Sequence, residues 1–579
     1  MKGEKIMKKG YQFIVLSALI VFFSACDFLH RDPYGSTITQ EQYEQLSNKL
    51  EGSMRGIYSM MYSVSDHDEF GKRSIDMYTD LMCGDMALTN YTYGWFYTDE
   101  ASQGRTGRTG YIWTYYYGIL HNVNAVIYAA LGGDAASADN PIKRAQSLGL
   151  PTDHKTVNGS EVFYTINKID SVTFDTVATF TETDAALVIC YAQALTMRGY
   201  IYSNLLMLYC RETQSIDNIN TELCFPLYTE NNMDEAQGLA KMGEVYTQLE
   251  SDLTQAIDYF EAFDCSATER DETKKLQVNA PVACGILAYS YLNKGNPKGN
   301  PNGDAYKNAY GNALNYATAA ILTTKATILR NSEVTTTGFN DVNNPSWMWG
   351  QKVTVETAGG LASWFGQCDI HSYSYAWAGD TKAIDENLFN LIPDFDIRQL
   401  WFNDGSKNKT YKLCPDGKFF SAASPYSTKS DDIDREWLSD NVFMRVEAMY
   451  LIAAEASYRL GNDADALMYL TAITDERVMP GLSAEYDTWK NGLTHTDIFR
   501  AIEYNWRVEM WGEGYGLQTF KRIGAEAIQL DELNKKERHR GANHCSDPGS
   551  KIEPGEQYTF QMPSAEGSYN PKVSGTTLP

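Results

Sequence analysis

"RVEAMYLIAAEASYRLGNDADALMYLTAITDERV", residues 445–478, is the stretch that decides the fold. The turn residues of Leu460-Gly461-Asn462 interrupt a long apolar pattern, which predicts two helices joined by a short connection. Small side chains alternate with large ones where the two helices cross, namely Ala454, Ala456 and Ala466 against Tyr450, Tyr458, Leu467 and Tyr469. The stretch therefore predicts a closely packed helical hairpin.

The same kind of hairpin occurs earlier in the chain. Residues 280–293, with Pro281 in the first helical turn, and residues 305–322 are separated by a loop rich in Gly, Pro and Asn. The turn and the Ala-Leu pair of residues 445–478 resemble a tetratricopeptide helix pair. Because the repeats are irregular, we expect a weakly repeating helical scaffold and not a consensus array.

Three further segments carry the three-and-four spacing of an amphipathic helix. Residues 39–62 open with a capping candidate at Thr39, residues 181–208 open with Thr181 and Asp184, and Val245–Phe260 makes another such face. With 579 residues, 43% of them hydrophobic, the chain can bury a large core. We therefore expect one large, mainly helical unit.

The helical pattern lapses between about residues 330 and 440, where Gly, Ser, Thr, Asn and Asp become frequent. Residues 346–356 in this region read as a short strand. A long irregular region in a compact protein usually carries function. We expect two further irregular zones, at residues 62–111 and 524–579.

Aromatic side chains are concentrated in two of these irregular zones. A flat ring presents an electron-rich face to the C–H side of a sugar, and adjacent polar side chains can bond its hydroxyls. The ring candidates are Tyr91, Tyr93, Trp95, Phe96 and Tyr97 in the first zone and Trp364, Phe365, Tyr373, Tyr375 and Trp377 in the second. The polar candidates nearby are Asn90, Asp99, Gln103, Arg105, Gln367, Asp369 and His371. For each ring, the alternative is a loop aromatic that packs onto the core.

The first 25 residues have the features of a secretory signal. Four lysines precede the apolar run Phe13–Phe23, which is too short to span a membrane. Cys26 follows where the lipobox of bacterial lipoproteins places its acylated cysteine, although Phe23 stands where leucine is usual. We expect cleavage before Cys26 and a lipid anchor on it, with the residues up to Pro33 as a tether. The alternative is an ordinary cleavage near Ala25.

Charge and motifs argue against several classes of protein. The formal net charge of −25 gives a surface that repels phosphate backbones, which disfavours nucleic-acid binding. The nine cysteines after Cys26 include no metal-spaced pair, and we expect most of them to be buried free thiols. The chain has no zinc-binding helix motif, Walker loop, nucleophile elbow or dinucleotide fingerprint. We therefore expect no cofactor.

Two segments have some features of a metal site. "DHDEFG", residues 66–71, begins like a calcium loop, but Phe70 occupies a ligand position and Met77 stands where the bidentate glutamate belongs. His539, His544 and Cys545 lack a fourth ligand at a suitable spacing, which favours a plain polar loop. We expect no metal at either place.

Taken along its whole length, the chain resembles the SusD/RagB-like family of outer-membrane nutrient-binding lipoproteins. The matching segments are Cys26-Asp27-Phe28-Leu29 with Pro33, Trp113 with Tyr117, Ile119 and residues 122–124, the helix 185–208, and residues 445–462, 505–524 and 560–575. Two details depart from the family pattern. Asn505-Trp506 stand where Glu-Arg is usual, and the arginine common after Glu-Gly is replaced near Gly516.

The resemblance implies an all-α fold of about four tetratricopeptide-like helix pairs, with a loop-rich face that carries short strands. It implies a single domain over residues 26–579 after the signal peptide 1–25. The helical scaffold would lie mainly in residues 39–330 and 440–525, and a ligand-binding insertion at about 330–440. By the same resemblance, Trp95 is the best match to the family's sugar-binding rings, followed by Trp364, Tyr375 and Trp377.

The resemblance also implies a function without catalysis. Members of the family are lipid-anchored on the outer membrane, face outwards, capture oligosaccharides and deliver them to a SusC-like, TonB-dependent β-barrel transporter. A first alternative is a protein of the same architecture that binds peptides for such a transporter. A second alternative is a glycoside hydrolase with a helical core.

Overall fold

The structure is a computed structural model, and it describes residues 49–97, 108–133, 140–168, 174–210, 216–263, 275–296, 299–370, 373–403, 405, 411–419, 439–533 and 538–574. Cys26, the signal segment and the expected tether lie outside the described residues. The polar candidates Asp99, Gln103, Arg105 and His371 also lie outside them.

Helices make up most of the described chain. They are α1 (Lys49–Met60), α2 (Lys72–Met82), α3 (Thr109–Ala130), α4 (Pro141–Leu148), α5 (Glu182–Tyr209), α6 (Met242–Phe263), α7 (Ala280–Gly295), α8 (Asp304–Thr323), α9 (Trp364–Cys368), α10 (Tyr375–Ala378), α11 (Glu386–Asn390), α12 (Val446–Arg459), α13 (Asp463–Thr474), α14 (Ser483–Asn491), α15 (His495–Glu509), α16 (Gly516–Leu533) and α17 (Ser564–Tyr569). None of these described helices is both long and apolar enough to cross a membrane.

Helices that follow one another in the chain pack side by side. The pairs are α5 with α6, α7 with α8, α12 with α13, and α15 with α16. Further contacts of α6 with α7, of α8 with α12 and of α12 with α15 join these pairs into one scaffold. The expected all-α, tetratricopeptide-like architecture is therefore confirmed.

The α12–α13 hairpin forms as its sequence predicts. Gly461 has φ +79°, a left-handed conformation that glycine adopts without a steric penalty and that commonly ends a helix. The Asn462 side chain accepts a hydrogen bond from the backbone N–H of Asp465 and caps the second helix. Ala454 and Ala466 are fully buried, as close helix crossing requires.

The long helix α5 has a capping box at its start and packs closely against α6 at one glycine. Thr181 and Asp184 form a capping box at its start. Gly199 faces Leu253 of α6, and a Cβ atom at this glycine would lie 2.6 Å from the Leu253 Cγ atom. The absence of a side chain at position 199 therefore lets the two helices pack closely.

The described strands are short and form four small sheets. They are β1 (Met86–Leu88), β2 (Asp153–Val157), β3 (Ser160–Lys168), β4 (Phe174–Thr181), β5 (Leu223–Pro226), β6 (Leu239–Lys241), β7 (Trp347–Gln351), β8 (Lys382–Ile384) and β9 (Asn441–Arg445). Strands β2, β3 and β4 form a three-stranded sheet, and β1–β8, β5–β6 and β7–β9 form two-stranded ones. All pairings are antiparallel. The predicted strand at residues 346–356 is β7.

The expectation that residues 62–111 are irregular is wrong for helix α2. Ten of its residues, from Arg73 to Met82, are buried, so the helix is covered on all sides. Its apolar stripe of Ile75, Tyr78, Leu81 and Met82 follows helical spacing, but Gly71 at its start provides no side-chain cap that would mark the helix in the sequence. The last zone, residues 524–579, likewise contains the second half of α16 and the short helix α17.

Helix α2 holds a buried carboxylate at the start of α16. The two carboxylate oxygens of Asp80 accept hydrogen bonds from the backbone N–H groups of Gly516, at 3.2 Å, and Gly514, at 3.3 Å. Burial, with a further contribution from the charges of Asp76 and Asp85, raises the pKa of Asp80 to about 7.

Buried ion pairs fasten the loop-rich region 330–440 to helix α15. The Glu509 carboxylate of α15 lies 2.9 Å from Arg477, 3.1 Å from Arg445 and 3.1 Å from Arg398. Lys418 donates to the Glu509 carbonyl oxygen at 2.7 Å. Burial alone raises the pKa of a carboxyl, but the guanidinium groups of Arg477 and Arg445 hold the pKa of Glu509 well below its usual value. Arg398 and Lys418 come from the loop-rich region, so the described segments that carry these two residues are anchored parts of the fold.

The described cysteines are free thiols. Seven of them are buried, and Cys545 is partly exposed. This agrees with the expectation of mostly buried thiols, and Cys265 lies outside the described residues.

Candidate functional site

The two aromatic zones of the sequence lie side by side because β1 pairs with β8. Met86 is opposite Ile384 and Leu88 is opposite Lys382 in this ladder. The pairing continues beyond the strands, where the Thr89 N–H donates to the Thr381 carbonyl oxygen at 2.8 Å. Residues 90–97 and 373–380 therefore run along the same part of the surface.

Asp380 fixes the first aromatic segment on the second. Its side chain is buried, and its Oδ1 atom accepts a hydrogen bond from the Tyr93 backbone N–H at 2.7 Å. Thr92 adds two hydrogen bonds to the Gly379 carbonyl oxygen, from its N–H at 3.1 Å and from its hydroxyl at 3.2 Å. The backbone that carries the candidate rings is thus held in place before a ligand binds.

Tyr375 is the centre of a cluster of four rings. Its ring meets the edges of Tyr93 at 5.4 Å and Trp95 at 5.9 Å between centroids. His67 stacks on Trp95 at 5.2 Å, and its Nδ1 atom lies 2.9 Å from the Tyr375 hydroxyl oxygen. Burial raises the pKa of Tyr375, so its phenol stays protonated. Tyr375 itself is buried, whereas Tyr93 is 59% exposed, so Tyr375 supports the ring that faces solvent.

A second pair of rings lies in the same loop. Tyr91 and Tyr97 stack with their centroids 4.4 Å apart and an angle of 28° between their planes. Tyr91 is 48% exposed, and Tyr97 is half-buried against the core. This pair offers a flat, partly exposed surface beside the Tyr375 cluster.

The third pair is Tyr373 and Trp377, which stand 5.7 Å apart between centroids. They are 48% and 54% exposed, respectively. Trp377 lies at the edge of a cleft of about 450 Å³. The polar and aromatic side chains that share this cleft are Asn90, Thr381, Glu386, Tyr411, Lys412 and Asn543. An exposed ring beside several donors and acceptors is the combination that a sugar requires.

We call the rings of Tyr91, Tyr93, Trp95, Tyr97, Tyr373, Tyr375 and Trp377, together with this cleft, the aromatic platform. Lys412 and Glu386 form an ion pair at 2.9 Å across the cleft, so neither charge stands alone there. Because the charges of this pair cancel, the cleft is suited to a neutral polyhydroxylated ligand.

Trp364 does not belong to the platform, and the prediction that it is a ligand-binding ring is wrong. It is fully buried, with Phe419 at 4.3 Å between ring centroids and the Arg73 guanidinium carbon 5.3 Å from its ring. No face of its ring is open to a ligand. It belongs to the core that connects α2 with the loop-rich region. Phe96 and Phe365 are buried in the core as well, so their prediction as candidate rings is also wrong.

Two of the polar candidates are buried and bond to other groups of the protein. Gln367 is fully buried, donates to the His67 carbonyl oxygen at 2.8 Å and accepts from Lys382 at 2.7 Å. The carbonyl oxygen of the buried Asp369 accepts from the Ser374 hydroxyl. Of the polar candidates that the structure describes, only Asn90 lines the cleft.

Several residues in the platform or in contact with it carry no signal in the sequence. His67, which stacks on Trp95, lies in the "DHDEFG" segment, whose pattern suggests at most a calcium loop. Tyr411, Lys412 and Asn543 line the cleft but lie outside the two aromatic segments, residues 90–97 and 373–380. No local pattern marks them, because only the tertiary fold brings them to Trp95 and Trp377. Among the described residues, no group of three or more His, Cys, Asp or Glu side chains is arranged to hold a metal ion.

Comparison with known proteins shows what the chain is similar to. Residues 403–574 match the model of the SusD family. No curated protein matches the chain in sequence. The resemblance of the sequence to SusD/RagB-like proteins is thus confirmed, and the fold described above is the SusD-like fold.

Solved structures share this fold over nearly the whole chain. A SusD-like carbohydrate binding protein from Bacteroides vulgatus ATCC 8482 has a TM-score of 0.63 and 20% identity, and the match covers 91% of this chain and 96% of that one. A SusD superfamily protein from Bacteroides thetaiotaomicron VPI-5482 has a TM-score of 0.62 and 17% identity, with 92% and 99% covered. A protein whose crystal structure was determined with a xylogluco-oligosaccharide has a TM-score of 0.57 and 14% identity, with 92% and 99% covered. At these identities the likeness shows the fold.

Proposed function

We propose that this protein is a cell-surface lipoprotein that binds an oligosaccharide on its aromatic platform and delivers it to a TonB-dependent outer-membrane transporter. One observation carries the proposal. The β1–β8 pairing brings exposed rings from two distant segments together beside a polar cleft, and Tyr93, Tyr373 and Trp377 present about half or more of their surface to solvent. Rings of this kind can stack on successive sugar units of a chain.

The carbohydrate-binding relatives support this assignment. A structure with the same fold is that of a SusD-like carbohydrate binding protein, and another contains a xylogluco-oligosaccharide. Within the proposal, the chain after residue 25 is a single domain, Cys26 carries the lipid anchor, and the platform faces away from the membrane. The proposed role is binding and delivery, and no reaction is assigned to the site.

The geometry favours a sugar over a peptide at this place. A peptide that adds to a strand needs backbone N–H and C=O groups that are open along one edge. Here the Thr89 and Thr92 N–H groups and the Thr381 and Gly379 carbonyl oxygens already bond to one another. The exposed groups are mainly the faces of rings, which suit the C–H side of a sugar, so the peptide-binding alternative ranks second.

A panel of neutral oligosaccharides tests the proposal. A ligand that binds the native protein raises its melting temperature by mass action. We expect at least one glycan of the panel to do so in the parent protein and to lose the effect in Trp377→Ala. Tyr569→Ala is the matched control, because Tyr569 is 87% exposed and lies on α17, outside the platform. The proposed site is wrong if Trp377→Ala binds that glycan as tightly as the parent does.

A further inference from the structure

A second cavity, of about 500 Å³, lies outside the aromatic platform. It opens between helices α14 and α15 and the segment 391–398, and its size is typical of a small-molecule site. One wall is apolar and consists of Leu391, Pro393, Phe395, Trp489 and Leu493. The rings of Phe395 and Trp489 are 5.5 Å apart between centroids, so they form a continuous aromatic surface on this wall.

The floor of the cavity is rigid and already hydrogen-bonded. Arg398 is fully buried and bonds to Asp396 at 2.6 Å and to the Asn505 side chain at 2.8 Å. The Tyr504 hydroxyl donates to Asp396 at 2.8 Å. Because these groups already bond to one another, the floor defines the shape of the cavity. A ligand would then be recognised by the polar side chains at the mouth.

The mouth carries a cation and an anion on one face of helix α15. Arg500 and Glu503 both line the cavity and are three residues apart, a spacing that makes them neighbours on a helix surface. Arg500 donates to the Leu530 carbonyl oxygen at 3.0 Å through Nη2. Its Nη1 atom is 3.9 Å from the Asp497 carboxylate, which is beyond hydrogen-bonding distance.

Both charges keep an atom that has no hydrogen-bond partner among the described residues. The Oδ2 atom of Asp497 accepts hydrogen bonds from the Thr494 N–H and hydroxyl in the capping box of α15, so Asp497 does not hydrogen-bond to Arg500 Nη1. The Glu503 Oε1 atom makes ion pairs with Nη1 of Arg507, at 3.4 Å, and with Nη1 of Arg538, at 3.7 Å. These two arginines bond to Asp85 through other nitrogens, Arg507 through Nε at 2.8 Å and Arg538 through Nη2 at 2.7 Å. Arg500 Nη1 and Glu503 Oε2 therefore retain capacity to bind a ligand.

We propose that this cavity binds a free α-amino acid with an aromatic or branched apolar side chain. The carboxylate would pair with Arg500 and the ammonium group with Glu503, while the side chain packs on Trp489 and Phe395. Arg500 and Glu503 lie about one helical turn apart on the same face of α15. An amino acid carries its carboxylate and its ammonium group on the same carbon, so one molecule can contact both side chains. A simple organic acid leaves Glu503 without a ligand partner, and a simple amine leaves Arg500 without one.

The test uses three probes that differ only in their charges, measured on the full-length mature protein by calorimetry or saturation-transfer NMR. L-Phenylalanine carries both charges, 3-phenylpropanoate only the negative one and 2-phenylethylamine only the positive one. We expect L-phenylalanine to bind about tenfold more tightly than either of the others. Equal binding of the three probes overturns the proposal. So does the absence of L-phenylalanine binding at roughly 10 mM, a concentration at which even a weakly bound small ligand is detected.

Two variants locate the site. Arg500→Gln and Glu503→Gln are each expected to weaken L-phenylalanine binding about tenfold, because each removes one charge-assisted hydrogen bond. Arg500→Gln also removes the contact with α16, so Glu503→Gln is the variant that tests recognition without that loss. Leu322→Ala, at a residue that is 78% exposed and outside the cavity, is the control and should bind as the parent does. Unchanged binding in both glutamine variants overturns the proposal.

Discussion

The Asp380 carboxylate accepts the backbone N–H of Tyr93 at 2.7 Å and so joins two aromatic segments that are far apart in sequence. The carboxylate is buried, and removing it leaves this N–H without its acceptor. The bond is thus a link on which both the local fold and the arrangement of the rings depend.

Asp380→Ala should therefore affect both stability and binding. We expect a loss of about 1–3 kcal/mol in the free energy of unfolding, because the Tyr93 N–H loses a hydrogen bond to a buried, charged acceptor. Glycan affinity should fall about tenfold, because the rings of the first segment are no longer held in position. Urea unfolding and calorimetry measure the two effects. Asp380→Asn keeps an acceptor and is the matched control, so an equal loss in both variants would contradict this account.

Trp364 and Trp377 should respond in opposite ways to replacement by alanine. Trp364 is fully buried, so Trp364→Ala should cost about 3–5 kcal/mol of unfolding free energy. Trp377 is 54% exposed, so Trp377→Ala should change stability by less than about 1 kcal/mol and weaken glycan binding at least about tenfold. Thermal unfolding with and without glycan distinguishes the two. A large stability loss in Trp377→Ala would contradict the assigned exposure.

Asp80 should make stability depend on pH. Its pKa in the folded protein, about 7, lies above its value in the unfolded chain. The stabilisation by the protonated carboxyl is therefore complete below the unfolded pKa of about 3.9 and is lost as the pH rises through 7. Relative to Asp80→Asn, which cannot ionise, the parent should lose up to about 1.4 kcal/mol per pH unit between pH 5 and pH 7.

Urea unfolding of the parent and of Asp80→Asn at pH 5, 6, 7 and 8 measures this difference. Asp153→Asn, at an exposed aspartate of β2, is the control and should follow the parent. Parallel stability curves for the parent and Asp80→Asn would show that the carboxyl does not titrate in this range.

Gly199 and Gly56 allow a matched test of helix packing. A methyl group at Gly199 would meet Leu253, so Gly199→Ala should cost about 1–3 kcal/mol. Gly56 lies in α1, and no atom lies within 4 Å of the point that a Cβ atom would occupy there, so Gly56→Ala should stabilise the protein by about 0.5–1 kcal/mol. Equilibrium unfolding compares them, and the same sign for both substitutions would argue against the close α5–α6 contact.

Cys26→Ser tests the proposed anchor. Without the thiol no acyl chain can be attached there, so the protein should be found in the soluble fraction and should still bind its glycan. Cell fractionation followed by the melting-temperature panel checks both points. Membrane retention of the variant would place the anchor elsewhere.

Local patterns account for the helical scaffold but only for part of the platform. The Gly461 turn, the Thr181 cap and the helix faces depend on neighbouring residues, and these elements form as expected. Helix α2 is short and starts at Gly71 without a side-chain cap, and its sequence does not show that its polar side chains Asp76 and Asp80 are buried together with its apolar stripe. Within one short segment, Trp364 is buried and Trp377 exposed, a difference that Phe419 and Arg73 determine from distant parts of the chain.

The ion pairs around Glu509 have a kinetic consequence. They fasten Arg398 and Lys418 to helix α15 through bonds within the protein, so the neighbouring segment that carries Tyr373 and Trp377 needs little rearrangement to receive a sugar. Glycans that fit well and glycans that fit poorly should then associate at similar rates and differ in how fast they dissociate. On such a surface, the residence time of the sugar sets the selectivity.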